Sequence, residues 1–142
     1  MSLNPLWEAP GTILIHVTAI AVSLVLGPLQ LILPKGTPRH RLTGRVWVAA
    51  MVVGSLSALL ILDRPMPPSI GPFSWLHLLA VLTLVLLYRA VRLARAGDIE
   101  EHRKAMLGLV FLGLGIPAFF AVAMPGRILN NALFETQAQR SP

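Results

Sequence analysis

Four long stretches of this chain contain no Asp, Glu, Lys or Arg, at residues 12–33, 46–62, 72–88 and 105–124. A hydrocarbon core about 30 Å thick is crossed by a helix of roughly 17 to 25 apolar residues. Each stretch must be helical, because lipid offers no partner to an open backbone. The sequence therefore predicts an all-α fold, a single four-helix transmembrane domain over residues 1–142, with helices at about 12–33, 38–62, 72–92 and 99–124.

The composition excludes most other classes of protein. Charged residues make up 13% of the chain, about half the share found in soluble domains, and hydrophobic residues make up 55%, which excludes disorder. The absence of Cys excludes disulfides, iron–sulfur clusters and thiolate metal sites. The four histidines are therefore the main candidate metal ligands.

Basic residues are divided unequally between the two ends of the predicted bundle. Nine of the twelve lie near the connections after the first and third helices: Lys35, Arg39, Arg41, Arg45, Arg89, Arg92, Arg95, Arg103 and Lys104. The positive-inside rule places these connections in the cytoplasm and both termini outside. The lipid bilayer is then the expected partner, and the net charge of +6 requires no nucleic acid.

The two halves of the chain resemble each other. His16 and His40 are 24 residues apart, and His77 and His102 are 25 apart. Each intervening segment is apolar, then basic with a Gly, and ends in His-Arg. We interpret the halves as two repeated helical hairpins, which places equivalent residues at equivalent depths.

The histidines then form two pairs, one near each face of the membrane. His16 and His77 lie near the outer ends of the first and third helices, and His40 and His102 begin the second and fourth. Paired imidazoles are the axial ligands of a six-coordinate haem. We expect one or two b-type haems whose iron these pairs bind, with propionates held by three arginines that suit carboxylates: Arg41, Arg45 and Arg103. The alternative for the histidines is a structural role, and for the arginines a role in topology alone.

Absent features also limit the function. The four stretches carry no charged side chain of the kind that ion-coupled transporters use, and no phosphate loop or nucleophile–base pair is present. We expect no catalytic side chain. The leading hypothesis is a membrane b-type cytochrome, an oxidoreductase component that transfers electrons from quinol or another donor, as a monomer or a homodimer. One alternative is a non-enzymatic subunit or assembly factor that binds a partner or lipid through its basic cytoplasmic face. Another is a small transporter or metal carrier.

Five segments resemble a known family: GPLQ at 27–30, HRLTGR at 40–45, FSWLHLL at 73–79, GDIEEHRKAM at 97–106 and PGR at 125–127. They resemble the bacterial predicted membrane proteins of domain of unknown function 2306, and the two His-Arg motifs are the most specific part. The resemblance implies a multi-pass protein of the bacterial cytoplasmic (inner) membrane and no settled activity. In histidine placement alone, the chain also resembles the di-haem cytochromes of the b-561 class. That resemblance implies an outer haem on His16 and His77 and an inner one on His40 and His102.

Overall fold

The computed structural model describes residues 9–62 and 69–123, which form a bundle of four helices. The elements in chain order are α1 (Gly11–Ile32), α2 (Pro38–Leu59), β1 (Ser69–Ile70), β2 (Phe73–Ser74), α3 (Trp75–Ala96) and α4 (Ile99–Ala123). All four helices are long and apolar enough to cross a membrane. The expected all-α membrane bundle is confirmed.

Local capping sets the starts of the helices. The Thr37 hydroxyl accepts the His40 N–H at 3.2 Å and Pro38 occupies the first turn of α2, while Asp98 accepts the Glu101 N–H at 3.2 Å at the start of α4. These starts match the sequence-based expectation.

The third helix is displaced along the chain from its expected bounds of 72–92. The chain before this helix forms an antiparallel hairpin of two strands, each two residues long, in which Ser69 pairs with Ser74. Helix α3 therefore begins only at Trp75. The helix continues to Ala96 because Gly97, with φ of 80°, adopts the left-handed conformation that ends helices. Likewise α2 ends at Leu59, before the expected residue 62.

The order of packing places alternate helices opposite each other. Helix α1 packs on α2, α2 on α3 and α3 on α4, and the middle of α4 returns to α1. Helices α1 and α3 therefore face each other across the bundle, as do α2 and α4. We call the end with the β1–β2 hairpin the hairpin end, and the end where α2 and α4 begin the basic end.

The core is held by a tryptophan between α1 and α2. Trp47 is fully buried, and its Nε1 donates to the Ser23 carbonyl at 3.0 Å. A Cβ at position 27 would lie 3.1 Å from this nitrogen, so Gly27 makes room for the indole. The other large buried side chains are Met51, Leu87, Leu109 and Leu114.

Helix α4 widens into a π-helical segment, Leu109–Gly115. Pro117, in the following turn, has no N–H to offer the Gly113 carbonyl, which disfavours regular α-helical bonding there. A Cβ at Gly113 would lie 3.3 Å from the Thr83 hydroxyl, so this glycine lets α4 approach α3 closely. Single π-helical turns of this kind are frequent at functional sites.

Candidate cofactor site

A cavity of about 390 Å³ lies inside the bundle toward the hairpin end, and all four helices line it. His16 from α1 and His77 from α3 both border it, with Ser74, Ser55 and Thr83. The rest of its wall is almost entirely apolar, including Ile20, Met51, Leu76, Ala80, Leu114 and Phe120. Its volume is within the range of roughly 300–1,000 Å³ that is typical of small-molecule and cofactor sites.

The proton of His16 is fixed by the neighbouring helix. Its Nδ1 lies 2.9 Å from the Gly54 carbonyl and 3.3 Å from the Ser57 hydroxyl. A carbonyl only accepts, so Nδ1 carries the proton and the Nε2 of the neutral ring keeps its lone pair. A histidine bound to a metal typically donates its second N–H to a carbonyl in this way.

The ring of His77 forms part of the cap of α3. His77 is the third residue of that helix, and its Nδ1 accepts the Ser74 N–H at 3.0 Å in a capping box. The Ser74 hydroxyl lies 3.1 Å from the same nitrogen, and the Phe73 ring packs edge-on at 5.5 Å. This cap, like the β1–β2 hairpin, places His77 at the very start of α3 rather than several residues inside it.

The other ring nitrogen of His77 lacks a partner. His77 is 8% exposed, and its Nε2 is the one buried side-chain nitrogen or oxygen without a hydrogen bond in residues 9–62 and 69–123. Burying a polar group without a partner costs free energy, so such an atom calls for an explanation. A group bound in the cavity would supply one.

The second pair of histidines lies at the basic end, on the opposed helices α2 and α4. The Nδ1 of His102 donates to the Ala90 carbonyl at 2.8 Å, which leaves its Nε2 with a lone pair. The Gln30 amide, oriented to satisfy its surroundings, donates to the Nδ1 of His40 at 2.9 Å. The two imidazoles are near enough to interact electrostatically.

Each pair therefore combines two hydrogen-bonding types. His16 and His102 donate from Nδ1 to a carbonyl of the adjacent helix, whereas His77 and His40 accept at Nδ1. The predicted repeat equates His16 with His77, but their hydrogen bonds differ. Their partners are a backbone carbonyl on another helix and a cap within the same helix, and these impose opposite protonation.

The three arginines of the sequence-based site are not part of the cavity. Arg41, Arg45 and Arg103 are exposed at the basic end, the end of His40 and His102. In the described part of the chain, the ion pairs join Lys104 to Glu100 at 3.0 Å and to Glu101 at 2.8 Å. No group of three or more His, Cys, Asp or Glu side chains converges as a metal-ion site within these same residues.

Several site residues were not expected from the sequence. The Gly54 carbonyl and the Ser57 hydroxyl are brought to His16 by helix packing, which no sequence pattern indicates. Ser74 has a recognisable signal, because a serine three residues before His77 has the spacing of an N-cap and its N3 residue.

The structure is therefore a four-helix membrane bundle with a mostly apolar cavity that the side chains of His16 and His77 border. The chain belongs to the family described as "Predicted membrane protein (DUF2306)", which matches residues 13–124. No curated protein and no solved structure matches the chain. The family description supports membrane residence and assigns no activity.

Proposed function

We propose that this protein is a b-type membrane cytochrome, with a haem held between His16 and His77, that transfers electrons across the bilayer. The observation that carries the proposal is the outer histidine pair. The two imidazoles lie on opposed helices and border one mostly apolar cavity, and the Nε2 of His77 is buried there without a hydrogen-bond partner among residues 9–62 and 69–123.

The donor chemistry of this cavity fits a haem. The Nε2 of His16 offers a lone pair, as an axial ligand must. His77 can offer a second lone pair if its Nδ1 is protonated, and the Ser74 hydroxyl at 3.1 Å is then an acceptor for that proton. Three alanines on the cavity wall take up little of its space, which favours a flat macrocycle: Ala58, Ala80 and Ala118.

The bound group would supply one-electron redox chemistry, and the chain would supply its setting. The Gly54 carbonyl holds the His16 ring in one orientation. Most of the cavity wall is apolar, and an apolar environment strengthens the influence of nearby charges on a redox centre. No acid–base side chain is required for this function.

We extend the proposal to a second b-type haem at the basic end, on His40 and His102. Its propionates would be held by Arg41, Arg45 and Arg103, which are exposed on the same end of the bundle. The Nε2 of His102 has a lone pair because Nδ1 carries the proton. The Nδ1 of His40 accepts from the Gln30 amide, so this hydrogen bond must break before the Nε2 of His40 can offer a lone pair. In this proposal the basic end is cytoplasmic in a bacterial inner membrane, both termini are outside, and quinol is a suitable donor.

The test is the visible spectrum of detergent-purified protein from haem-replete cells, oxidised and then reduced with dithionite, with haem quantified as the pyridine haemochrome. We expect sharp α and Soret bands and one or two haems per chain. His16→Ala and His77→Ala should each remove the same single haem. Leu78→Ala is the matched control, because Leu78 neighbours His77 but is 72% exposed on the outside of the bundle.

Two results would contradict the proposal. One is wild-type protein that contains no haem under these conditions. The other is full haem content in all four single His→Ala variants. A haem count unchanged by His16→Ala and His77→Ala but lowered by His102→Ala would restrict the haem to the basic end.

The alternative function, a subunit or assembly factor that binds anionic lipid or a partner, is favoured by the exposed arginines of the basic end. Arg39, Arg41, Arg45 and Arg103 have no carboxylate partner among residues 9–62 and 69–123. Such clusters attract anionic headgroups. Colourless protein whose binding to phosphatidylglycerol vesicles falls when these arginines become Gln would support this function over the cytochrome.

A further inference from the structure

We infer that Ser74 is a positioning residue for His77, deciding which nitrogen of that ring carries the proton and so whether His77 binds iron. This inference rests on the proposed function, because it concerns the same cavity. It follows from the position of the backbone N–H and the hydroxyl of Ser74, which both face the Nδ1 of His77. The Ser74 N–H lies 3.0 Å from the Nδ1 of His77, and the Ser74 hydroxyl oxygen lies 3.1 Å from it.

The two groups of Ser74 favour opposite states of the ring. When Nδ1 accepts the backbone N–H, the neutral ring carries its proton on Nε2, which cannot then bind a metal. When Nδ1 is protonated, it donates to the Ser74 hydroxyl and Nε2 becomes a free lone pair. Water accepts the proton that leaves Nε2 and supplies the proton that arrives at Nδ1, so the ring stays neutral.

The surroundings of His77 favour this exchange over a movement of the whole ring. The Phe73 ring packs edge-on against the imidazole, and the side chain is more than nine-tenths buried. The Nε2 atom has no hydrogen bond among the described residues, so no protein contact is lost when its proton leaves. The exchange loses the hydrogen bond from the Ser74 N–H to Nδ1 and gains one from Nδ1 to the Ser74 hydroxyl.

His16 provides the contrast within the same cavity. The Gly54 carbonyl can only accept, so the proton of His16 stays on Nδ1 and its Nε2 is always ready to bind. His16 would therefore bind first, and His77 would complete the site when its Nδ1 changes from accepting the Ser74 N–H to donating to the Ser74 hydroxyl. An alanine at position 74 retains the donor and removes the acceptor.

The experiment compares wild type, Ser74→Ala, Ser74→Gly and Ser74→Thr in nanodiscs, each with ¹⁵N-labelled histidine, before and after addition of haem. Nitrogen NMR shifts report the protonated nitrogen of His77, and electron paramagnetic resonance reports the spin state of the iron. Before haem is added, we expect the proton on Nε2 in wild type and in the Ala and Gly variants.

After haem is added, wild type and Ser74→Thr should be six-coordinate and low-spin, with the His77 proton on Nδ1. Ser74→Ala and Ser74→Gly should be five-coordinate and high-spin through His16, with haem affinity at least about tenfold weaker. Glycine is a good N-cap residue, so Ser74→Gly keeps the inference testable if the alanine variant folds poorly.

The failure of the inference differs from the failure of the proposed function. Low-spin, six-coordinate haem at the His16–His77 site in both Ser74→Ala and Ser74→Gly, read in chains that carry His102→Ala so that no haem at the basic end contributes, overturns the role of Ser74 and leaves the cytochrome intact. A proton already on Nδ1 of His77 in wild type before haem is added has the same effect. Wild-type protein that takes up no haem contradicts the cytochrome itself, and the role of Ser74 falls with it.

Discussion

The Nδ1 of His102 donates to the Ala90 carbonyl at 2.8 Å, which joins the first turn of α4 to the second half of α3. Ala90 is fully buried, so the bond forms inside the bundle rather than in the exposed turn at Gly97. The same contact stabilises the helix pair and aims the Nε2 of His102 away from α3. One hydrogen bond can therefore serve both the fold and the proposed haem site.

Substitution of His102 by Gln should separate these two roles. The Gln amide can donate to the Ala90 carbonyl but is a poor haem ligand, so His102→Gln should retain stability and lose one haem. His102→Ala should lose the haem and also cost about 0.5–1.5 kcal/mol, because the hydrogen bond between the two helices is lost. Haem content and urea unfolding in mixed micelles would check both effects. Equal loss of stability in the two variants would contradict the structural role of the bond.

The bond between Trp47 and Ser23 predicts a loss of stability that is independent of any cofactor. Trp47→Phe keeps an aromatic ring in the core but removes the indole donor that lies 3.0 Å from the Ser23 carbonyl. We expect a cost of about 0.5–1.5 kcal/mol in the free energy of unfolding, the net contribution of one hydrogen bond. Trp75→Phe is the control, because Trp75 contacts Phe120 through its ring, at 5.5 Å between centroids. The prediction is wrong if the two variants unfold alike.

Gly54 links helix packing to the orientation of His16. A Cβ at this position would lie 2.9 Å from the Cδ1 of Ile20, so Gly54→Ala should force the Ile20 side chain into another rotamer and strain the contact of α1 with α2 beside the bond from His16 to the Gly54 carbonyl. Overpacking of this kind costs about 1–3 kcal/mol. Ile20→Val removes the clashing methyl group, so the double variant should recover part of the loss. A double-mutant cycle in the free energy of unfolding would measure the recovery.

The control for Gly54→Ala is Gly108→Ala, since in the described part of the chain no atom beyond the adjacent backbone of α4 lies within 4 Å of a Cβ there. That substitution should stabilise α4 by up to about 1 kcal/mol, the usual preference of a helix for Ala over Gly. If the changes in unfolding free energy caused by Gly54→Ala and Ile20→Val simply add in the double variant, the predicted clash between a Cβ at position 54 and Ile20 is wrong.

The sequence predicts the four helices because a helix that crosses lipid needs a long stretch without charged residues, and such stretches are visible in the sequence. The caps at Thr37 and Asp98 were also predictable, since capping depends on residues three apart. The bond between His16 and the Gly54 carbonyl was not, because it joins residues 38 positions apart through a main-chain atom. The π-helical segment of α4 has a local signal in Pro117, but the approach of Gly113 to Thr83 beside it has none. Protonation at the site follows from these partners, so the sequence alone could indicate the histidines but not their states.

The proposed role of the arginines at the basic end predicts a change in redox potential. A cation near a haem stabilises the reduced form, so Arg45→Gln and Arg103→Gln should each lower the midpoint potential of one haem and leave the other unchanged. The effect should be on the order of 1 kcal/mol or less, as expected for a charge in a partly hydrated site. Potentiometric titration followed in the α band would measure it.

Arg92→Gln is the matched control for this effect. It removes the same charge from the same end of the bundle, but Arg92 is exposed on α3 with its guanidinium 5.9 Å from the centre of the Tyr88 ring. A shift in Arg92→Gln as large as that in Arg45→Gln would mean that the potential responds to the overall charge of the basic end. Only a shift confined to Arg45 and Arg103 supports direct contact with propionates, because surface charges beyond about 10 Å are screened by salt.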